Sequence, residues 1–341
     1  MVKTAIVILN WNGKKFLSQF LPGLIQYTLN TDSEIIIADN NSTDDSIEFL
    51  NTNYPYIKQI ILDKNYGFAG GYNRALNQID AKYFVLLNSD VEVTRDWLNP
   101  LIQLLDTDKQ VAAVMPKILS LNNRNQFEYA GAAGGFIDKY GYPFCRGRIL
   151  GTVENDKGQY NDIRDIFWAT GACMVVRADL FKNFNGFDDD FFAHMEEIDL
   201  CWRFKNAGYR ILYCPYSTIY HVGGGTLPNN NPFKLYLNYR NNLFLLYKNL
   251  PEKKFKRTLI TRMMLDGISS ILFLMKLSLP SFLAVFKAHI HFYKALPQLK
   301  EKRKSQLKNS LIETHPEIYK KSIVVDYFIK RNKYFSALSI H

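Results

Sequence analysis

The stretch Tyr83-Phe-Val-Leu-Leu-Asn-Ser-Asp90 places a run of apolar residues directly before three polar ones. Four other runs have the same apolar character, and segments of helical length separate them; they cover residues 4–9, 34–38, 57–62 and 111–115. Strands that are apolar almost throughout are typical of parallel sheets covered on both faces. The alternation therefore predicts an α/β fold.

Polar residues follow four of these five runs, at the point where each strand is expected to end. Besides Asn88-Ser-Asp90 they are Asn10-Trp-Asn-Gly13, Asp39-Asn-Asn-Ser-Thr-Asp44 and Asp63-Lys-Asn65. In open α/β sheets, ligands bind at the carboxyl ends of the strands. We therefore expect the functional site at this edge of the sheet.

The composition is that of a folded protein, since 47% of the 341 residues are hydrophobic and 22% are charged. The four cysteines have no C-x-x-C spacing, which argues against a disulfide framework or a zinc site. The first residues lead into an apolar run that is too short for a signal peptide. We therefore expect a cytoplasmic location.

The net charge of +10 is concentrated in one segment, because residues 248–308 contain 14 Lys and Arg but only three acids. From residue 235 onward the pattern predicts mainly helices, and the apolar residues 267–286 are interrupted by Lys276 and Pro280. These interruptions disfavour a helix that spans a bilayer. We expect a pair of amphipathic helices on a membrane surface. Helices buried in the protein or in a homodimer interface remain the alternatives.

Asp90 and Glu92 are two carboxylates separated by one residue, just after a predicted strand. Oxygen ligands that leave part of the coordination sphere open suit a hard divalent cation that also binds phosphate. The alternative is that Asp90 caps the helix expected to start near Asp96. The segment Asp39 to Asp44 also has two interpretations, since its short polar side chains could cap the following helix, or Asp39 could accept a hydrogen bond from a pyrimidine base.

Residues 65–74 are rich in glycine and open a predicted helix. The backbone N–H groups of such a segment can bind a phosphate, and Arg74 could neutralise its charge. The segment does not match the G-x-G-x-x-G or P-loop patterns, so neither a dinucleotide nor an ATP site follows from it.

Together, the polar motifs after the strands and the glycine-rich segment resemble the successive motifs of family 2 glycosyltransferases, which have the GT-A fold. The pattern is similar to bacterial rhamnosyltransferases and galactofuranosyltransferase-like enzymes of surface-polysaccharide synthesis. The resemblance covers residues 4–247. It implies a GT-A catalytic domain at residues 1–247, followed by a basic helical region at residues 248–341.

The resemblance implies the following donor-binding positions: Asn10, Trp11, Asp39, Asn65, Gly67, Arg74, Asn88, Ser89, Thr170 and Gly171. Asn10 and Asp39 would hold the nucleoside, and Arg74 would approach the diphosphate. Asp90 would be the principal metal ligand. The family's D-x-D motif reads Asn-Ser-Asp in this chain, so its first acid is missing and Asn88 is expected to contact the ribose.

The segment His194-Met-Glu-Glu-Ile-Asp-Leu-Cys-Trp-Arg203 resembles the family's E-D-x-D segment. The second acid of that segment serves as the base, and it corresponds to Glu197. Glu196 and Asp199 are the other catalytic candidates. Helical spacing places Glu196, Asp199 and Arg203 on one face, where they can pair, and turns Glu197 away by about 100°. For Asp199 and Arg203 a salt bridge is the preferred interpretation.

His221 lies at a predicted strand end, before the segment Gly223-Gly-Gly225. In the galactofuranosyl relatives the equivalent histidine binds the metal, so the resemblance adds His221 to Asp90 and Glu92 as a metal ligand. A flexible glycine segment would allow a lid to close over the donor. The alternative is a purely structural histidine.

The implied activity is the inverting, metal-dependent transfer of a sugar, with Mn²⁺ or Mg²⁺ as the cofactor. Rhamnose from dTDP-rhamnose is the first expectation, and a UDP-sugar donor for galactofuranosyl, glucosyl or N-acetylhexosaminyl transfer is the alternative. The expected acceptor is a glycan or a polyprenyl-diphosphate-linked glycan at the inner face of the cytoplasmic membrane.

Two other functional classes are less consistent with the sequence. A nucleotidyltransferase would need a basic, glycine-rich signature at the N-terminus, which residues 9–13 do not supply. A basic tail could bind nucleic acid through its phosphates, but the apolar stripes of this tail fit lipid better. We therefore expect no nucleic-acid partner.

Overall fold

The computed structural model describes residues 2–28, 32–223, 231–308 and 310–340. Its strands, in chain order, are β1 Val2–Asn10, β2 Ser33–Asp39, β3 Lys58–Ile61, β4 Ala81–Leu87, β5 Val91–Val93, β6 Val111–Ser120, β7 Gly135–Asp138, β8 Pro143–Cys145, β9 Arg148–Ile149, β10 Thr152–Val153, β11 Arg164–Asp165, β12 Cys173–Arg177, β13 Arg210–His221 and β14 Ile318–Tyr319. Its helices are α1 Lys14–Thr28, α2 Ser46–Asn53, α3 Gly67–Leu76, α4 Asn99–Thr107, α5 Ala178–Asn183, α6 Glu196–Asn206, α7 Pro232–Asn249, α8 Glu252–Met275, α9 Leu279–Lys308 and α10 Ile323–Phe328.

The main sheet has nine strands in the order β11-β13-β6-β12-β4-β1-β2-β3, and β5 pairs with β13. The five predicted apolar runs correspond to β1, β2, β3, β4 and β6, which confirms the α/β prediction. Strands β4, β1, β2 and β3 are parallel neighbours. Strand β12 is antiparallel and lies between β4 and β6, so the sheet is mixed.

The parallel register fixes which polar residues meet at the carboxyl edge of the sheet. Asn10 at the end of β1 lies opposite Asp39 at the end of β2. Ile8 of β1 lies opposite Leu87, the last residue of β4, so Asn88 to Asp90 follow at the same edge. Strand β13 ends at His221, as expected from the sequence.

Residues 121–163 form loops and short strands beside the main sheet. They contain most of a second sheet with the order β10-β9-β8-β7-β14. Strand β14 comes from near the C-terminus and pairs in parallel with β7. The C-terminal residues therefore complete a sheet that begins in the first half of the chain.

Buried ion pairs join the helical region to the preceding part of the chain. The boundary predicted between residues 247 and 248 falls inside α7, and the buried Lys248 Nζ lies 2.5 Å from Asp188 and 2.9 Å from Asp199. The predicted pair of helices corresponds to α8 and α9, which residues 276–278 connect. Among the described residues, α8 is the one helix that is long and apolar enough to cross a membrane, by length and composition alone.

Candidate active site

The ends of β1 and β2 hold Asp39 in a fixed position. Asn10 Nδ2 donates to Asp39 Oδ2 at 2.9 Å, and the backbone N–H of Ser42 donates to Asp39 Oδ1 at 2.8 Å. Both Asn10 and Asp39 are buried. Asp39 does not cap α2, because that helix starts at Ser46 and the Ser46 N–H bonds to Asp44. Asn10 and Asp39 therefore lie together at the strand ends, and the capping role expected of this polar segment falls to Asp44 rather than to Asp39.

One buried acceptor atom at this edge lacks a partner among the residues that the structure describes. Asn10 Oδ1 is buried and finds no hydrogen-bond donor among the described residues. Gly13 lies against it, so a Cβ at position 13 would collide with this oxygen and approach Ser89 Oγ to 3.4 Å. Trp11 is 45% exposed beside it. A buried acceptor without a partner is costly unless a ligand supplies the donor, so this edge is suited to a polar group such as a nucleobase.

Asn40 joins the end of β2 to the start of α3. Its Nδ2 donates to Asn65 Oδ1 and to the Gly67 carbonyl, both at 3.0 Å, and its Oδ1 accepts from the Tyr66 N–H at 3.0 Å. Gly67 has φ +70, and a Cβ there would lie 2.6 Å from the Phe192 carbonyl oxygen. Asn65 and Gly67 therefore shape the loop through contacts within the protein.

The first N–H groups of α3 are already engaged. Phe68 N and Ala69 N donate to the Phe192 carbonyl at 2.7 and 3.1 Å. These amides were expected to bind phosphate. They instead bind the Phe192 carbonyl and fix the segment that precedes α6.

Arg74 also has its charge balanced within the protein. Its Nη1 lies 3.0 Å from Asp189 Oδ2, and its guanidinium stacks 3.6 Å from the centre of the Tyr66 ring. The expected contact of Arg74 with the diphosphate is therefore not favoured by this arrangement, since the residue lies in the last turn of α3 and faces Asp189.

Asp90, His221 and Glu128 form a buried row. His221 Nε2 lies 3.1 Å from Asp90 Oδ1, and His221 Nδ1 lies 3.5 Å from Glu128 Oε2. Asn88 Nδ2 lies 3.4 Å from the same Nε2. Burial lowers the pKa of His221, but the hydrogen bonds and charges of the two carboxylates outweigh it and raise the pKa to about 10. The expected proximity of Asp90 and His221 is thus confirmed.

This pair fits a divalent cation that shares its coordination with a ligand. Neighbouring ligands of a six-coordinate Mg²⁺ with bonds of about 2.1 Å are separated by about 3 Å, which matches the distance between Asp90 Oδ1 and His221 Nε2. Binding of a cation would displace the proton from His221 Nε2, and Glu128 beside Nδ1 would hold the remaining proton on that nitrogen. No group of three or more His, Cys, Asp or Glu within the described ranges could hold a metal ion alone. The site would need phosphate oxygens and water to complete it.

Glu92 does not belong to this cluster. Both of its carboxylate oxygens accept from Arg124 Nη2 at 2.8 Å. In the pairing of β5 with β13, Val91 lies opposite His221, whereas Glu92 lies opposite Tyr220. Because side chains alternate along a strand, Glu92 projects to the other face and the prediction that it binds metal is wrong. The capping alternative for Asp90 is also wrong, since α4 starts at Asn99.

Glu128 was missed by the sequence interpretation. It follows Phe127 in a region without long apolar runs, and its contact with His221 joins positions that are far apart in the chain. Gly223 marks the position where Glu128 approaches the backbone closely, because it has φ +71 and a Cβ there would lie 2.6 Å from Glu128 Oε1. The other two glycines of the predicted lid, Gly224 and Gly225, lie outside the described residues.

Glu196 and Glu197 begin α6 and are both desolvated. Glu196 is 3% exposed, and burial together with the neighbouring charge of Glu197 raises its pKa well above the usual range. Burial raises the pKa of Glu197 to about 7, although backbone hydrogen bonds, including one at Gly171, act in the opposite direction. Glu197 is less deeply buried than Glu196, and its buried Oε2 finds no hydrogen-bond donor among the described residues. It is therefore the acid of the pair that can meet a substrate and accept a proton near neutral pH.

Asp199 has a structural role. Its carboxylate lies 2.9 Å from Arg203 Nε, 2.9 Å from Lys248 Nζ and 2.8 Å from Asn249 Nδ2, and the residue is fully buried. Because it is fully buried and bound by three donors, Asp199 is not available to a substrate, so the prediction that it is catalytic is wrong and the salt-bridge interpretation is confirmed. The pairing expected between Glu196 and this face is not formed.

The 168–172 turn lies between the two halves of the site. Asn88 N donates to the Ala172 carbonyl at 3.0 Å, and Ala172 N donates to Thr170 Oγ1 at 3.3 Å. A Cβ at Gly171 would lie 2.6 Å from Phe68 Cζ. Thr170 and Gly171 thus connect the strand end at Asn88 to the start of α6, as a donor-binding turn requires.

The segment before α6 has an unusual backbone that α7 holds in place. Phe192, His194 and Met195 have φ values of 64, 69 and 75. Asn241 Nδ2 donates to the carbonyls of residues 191, 193 and 194 at 2.9, 2.8 and 2.7 Å. Arg240 Nη2 donates to the carbonyls of residues 190 and 191. We call Arg240 and Asn241 the α7 clamp. Strained residues of this kind persist where surrounding contacts over-determine them, often at functional sites.

Comparisons with known proteins agree with this geometry. Residues 5–184, more than half of the chain, match the family described as Glycosyl transferase family 2. An N-acetylglucosaminyl-diphospho-decaprenol L-rhamnosyltransferase of Mycobacterium tuberculosis is 25% identical over 234 residues, which cover 63% of this chain and 75% of the relative.

Solved structures of glycosyltransferases share the fold. The 1–349 segment of S. aureus TarS has a TM-score of 0.54 at 16% identity, over 98% of this chain and 93% of that one. GalNAc-T7 in complex with UDP, GalNAc and Mn²⁺ has a TM-score of 0.57 at 14% identity, over 74% of this chain and 49% of that one. The predicted GT-A fold is therefore confirmed.

Proposed function

Because the chain belongs to the family 2 glycosyltransferases, we propose that it transfers a sugar from a nucleoside-diphosphate donor, with inversion, to a hydroxyl group of a glycan or polyprenyl-diphosphate-linked acceptor. The observation that carries the proposal is the arrangement at the carboxyl edge of the sheet. Asp39 is held in place beside Asn10 Oδ1, an acceptor for which the described residues supply no donor. The arrangement also includes the Asp90–His221 pair and the desolvated acid Glu197.

The donor side would bind the nucleotide in three parts. Asp39 and Asn10 would face the base, Asn88 would face the ribose, and Asp90 with His221 would hold Mn²⁺ or Mg²⁺ at the diphosphate. The cation, when bound, offsets the negative charge that grows on the leaving diphosphate. Asp90 and His221 are positioned for this by the ends of β4 and β13, and Glu128 orients the imidazole.

The acceptor side would supply the base. The Glu197 carboxylate takes the proton from the acceptor hydroxyl while the hydroxyl oxygen forms a bond to the anomeric carbon. The bond from that carbon to the diphosphate oxygen breaks, and its electron pair leaves with the nucleoside diphosphate. Attack opposite to the leaving group inverts the anomeric configuration. A pKa of about 7 allows Glu197 to accept the proton near neutral pH.

For the donor, dTDP-rhamnose is the first candidate, because the mycobacterial relative is named as an L-rhamnosyltransferase. A UDP-sugar is the alternative. For the acceptor, the decaprenol in the same name supports a lipid-linked substrate, which would place the protein peripherally at the inner face of the cytoplasmic membrane. The basic helical region agrees with an anionic surface there.

A donor panel tests the proposal directly. Binding of dTDP-, UDP- and GDP-sugars would be measured by calorimetry with and without Mn²⁺, followed by hydrolysis assays on those that bind. We expect one nucleotide class to bind with metal-dependent affinity, and Asp90→Ala to abolish that dependence. If no sugar nucleotide binds, or if Asp90→Ala retains full metal-dependent turnover, the proposal fails. Lys109→Ala, a change in the loop after α4 at the opposite end of β6, is the control.

A further inference from the structure

The surface of α8 and α9 around their connecting turn is exposed and almost entirely apolar. Residues 267–286 contain a single charged residue, Lys276. The exposed apolar side chains on this surface are Ile268, Ile271, Leu272, Leu274, Met275, Leu277, Leu279, Leu283 and Phe286. Leu277 at the turn is 93% exposed. Contiguous apolar patches of this extent are rare on monomeric soluble proteins and mark an interaction surface.

The pattern along each helix is a continuous stripe. Leu283, Phe286, Ile290 and Tyr293 of α9 follow one another at steps of three and four residues and are all exposed. A stripe at this spacing lies on one face of a helix. The same holds for α8, where the exposed apolar positions begin at Ile260. Both helices therefore present an apolar face away from the body of the protein.

The charged side chains between residues 267 and 296 are all positive. The segment 248–308 has 14 basic and three acidic residues, and Lys276, Lys287 and Lys294 are exposed along or beside the apolar stripes. Two copies of this chain that met through this surface would bring like charges together. An anionic lipid surface would instead attract the Lys side chains and accept the apolar ones.

The inner sides of the helices show why the surface would lie on a bilayer without spanning it. Arg262 and Asp266 of α8 are buried and form a 2.7 Å ion pair, and Arg262 also bonds to Asn242 of α7. The Arg262 guanidinium stacks 4.0 Å from the centre of the Tyr142 ring. A spanning α8 would have to break these contacts and move both charges into lipid, which is costly.

We propose that the exposed faces of α8 and α9, centred on the turn at residues 276–278, form an interfacial docking surface for an anionic bilayer. This inference rests on the proposed function for its purpose, since a lipid-linked acceptor would be presented at that bilayer. The occupant of the surface is lipid, inserted to roughly the depth of the headgroup boundary.

The packing of α9 places this surface beside the acceptor side of the active site. Ala284 and Ala288 of α9 pack in one cluster with Tyr236 and Leu237 of α7, and Ala193 packs against the same cluster. Ala193 lies in the segment held by the α7 clamp. Ala284 is seven residues beyond Leu277, so the turn lies roughly 10 Å from that packing contact along the helix axis. Docking would bring the segment before Glu197 close to the headgroups.

A hydrogen-bonded path joins the two regions. Tyr236 OH lies 2.6 Å from His291 Nδ1 of α9, and Arg240 Nη1 donates to the same hydroxyl at 3.1 Å. Arg240 is a member of the α7 clamp. The orientation of the docked helix is thereby tied to the backbone that precedes the catalytic acid.

Vesicle flotation tests the docking surface without an activity assay. The full chain would be floated with vesicles of phosphatidylcholine that contain phosphatidylglycerol, and with pure phosphatidylcholine as the neutral comparison. The double variant Met275→Asp/Leu277→Asp would be compared with Leu311→Asp, which changes a side chain that is 80% exposed outside this surface. Position 277 has φ 55, a conformation that Asp adopts more readily than Leu, so this change should not disturb the turn.

We expect the wild type and Leu311→Asp to float with anionic vesicles and the double variant to bind at least tenfold more weakly. Lys276→Glu/Lys294→Glu should also weaken binding, and added salt should weaken the wild type. Equal flotation of the double variant and the wild type would overturn the proposal. So would a wild-type dimer in sedimentation that the double variant splits while neither protein binds vesicles, because the surface would then be an interface between two copies.

Donor hydrolysis in solution separates this result from the proposed function. The double variant should hydrolyse the sugar nucleotide at the wild-type rate but lose transfer to an acceptor embedded in vesicles. If the wild type binds vesicles but turns over no sugar nucleotide, the proposed function fails and the docking surface stands. If the double variant retains transfer to the embedded acceptor, docking has no role in catalysis and the inference is overturned.

Discussion

The donor side and the acceptor side of the active site are built in different ways. On the donor side, Asn10, Asp39 and Asn88 follow strand ends whose register brings them together. On the acceptor side, Glu197 follows a segment that combines three left-handed residues with bonds from α3 and α7. The positions of these three donor-side residues follow from the register of the sheet alone. The acceptor side depends on contacts between residues distant in the chain, and it is the side where a single substitution elsewhere can disturb the chemistry.

Replacement of the base should have the largest effect on the rate. Glu197→Gln keeps the size of the side chain but removes the proton acceptor, and general base catalysis contributes roughly 10²–10⁴-fold. We expect kcat to fall by that factor while the dissociation constant of the donor stays within about twofold, since the donor side is untouched. Steady-state kinetics and calorimetry would measure both. An unimpaired kcat would show that Glu196 or another group is the base.

Glu197→Gln should also have a larger free energy of unfolding than the wild type at high pH. The Glu197 carboxyl has an ordinary pKa near 4.5 and a native pKa of about 7, so the native state binds more protons than the unfolded state between these values. Stability therefore falls as the pH rises through this window. Glu197→Gln removes the penalty, which amounts to about 3 kcal/mol at most above pH 7. Denaturant unfolding at pH 5 and pH 8 would measure the difference.

At pH 5 the variant and the wild type should have similar free energies of unfolding, and at pH 8 the variant should be the more stable one. Glu301→Gln, on the exposed surface of α9, should give the same small change at both pH values. An equal shift at both pH values for Glu197→Gln would mean that the wild-type carboxyl is not protonated more easily in the native state. The acceptor side would then lack the desolvated acid that the proposed base requires.

Sequence patterns predicted the strand ends of the donor side, but not that the α3 amides and Arg74 would be engaged within the protein. Each apolar run became a strand, and the register placed Asn10 beside Asp39. Glu92 was misassigned because the spacing of two residues in the sequence does not show on which face of β5 each side chain lies. Its Arg124 partner comes from a loop between β6 and β7.

The acceptor side was predicted only in part. The motif identified Glu197, and helical spacing gave the Asp199–Arg203 pair. It could not show that Lys248 and Asn249 of α7 also bind Asp199, because those residues lie about fifty positions further along the chain. For the same reason the predicted boundary at residue 247 divided a helix that both regions share.

Glu128 tests whether the metal pair on the donor side needs a long-range partner after all. It is a positioning residue, since it touches His221 Nδ1 and lies on the far side of the imidazole from Asp90. Second-shell partners of metal-bound histidines typically contribute 10–100-fold in metal affinity. We expect Glu128→Gln to raise the Mn²⁺ concentration needed for half-maximal activity by about tenfold, with kcat at saturating metal largely retained.

Glu92→Gln is the matched control for this measurement. It makes the same chemical change on a carboxylate that pairs with Arg124, so the Mn²⁺ requirement should not move. If Glu92→Gln shifted the metal requirement and Glu128→Gln did not, the assignment of the two acids would have to be exchanged. Titration of Mn²⁺ against both variants at a fixed donor concentration distinguishes the outcomes.

Asn241 tests the dependence of the acceptor side on α7. Asn241→Ala removes the single amide that donates to three carbonyls before Glu197, and unmade bonds to buried groups cost about 1–3 kcal/mol. The left-handed residues would then relax and Glu197 would lose its fixed position. We expect kcat to fall roughly tenfold, with the donor dissociation constant unchanged and the pH–rate profile displaced from an apparent pKa near 7. Asn238→Ala on the same helix, where the amide bonds to the Lys234 carbonyl within α7, should leave all three quantities near the wild-type values.

Loss of donor affinity in Asn241→Ala would show that the two sides of the site are not independent. The Phe192 carbonyl also bonds to the start of α3 and would transmit the relaxation to the donor loop.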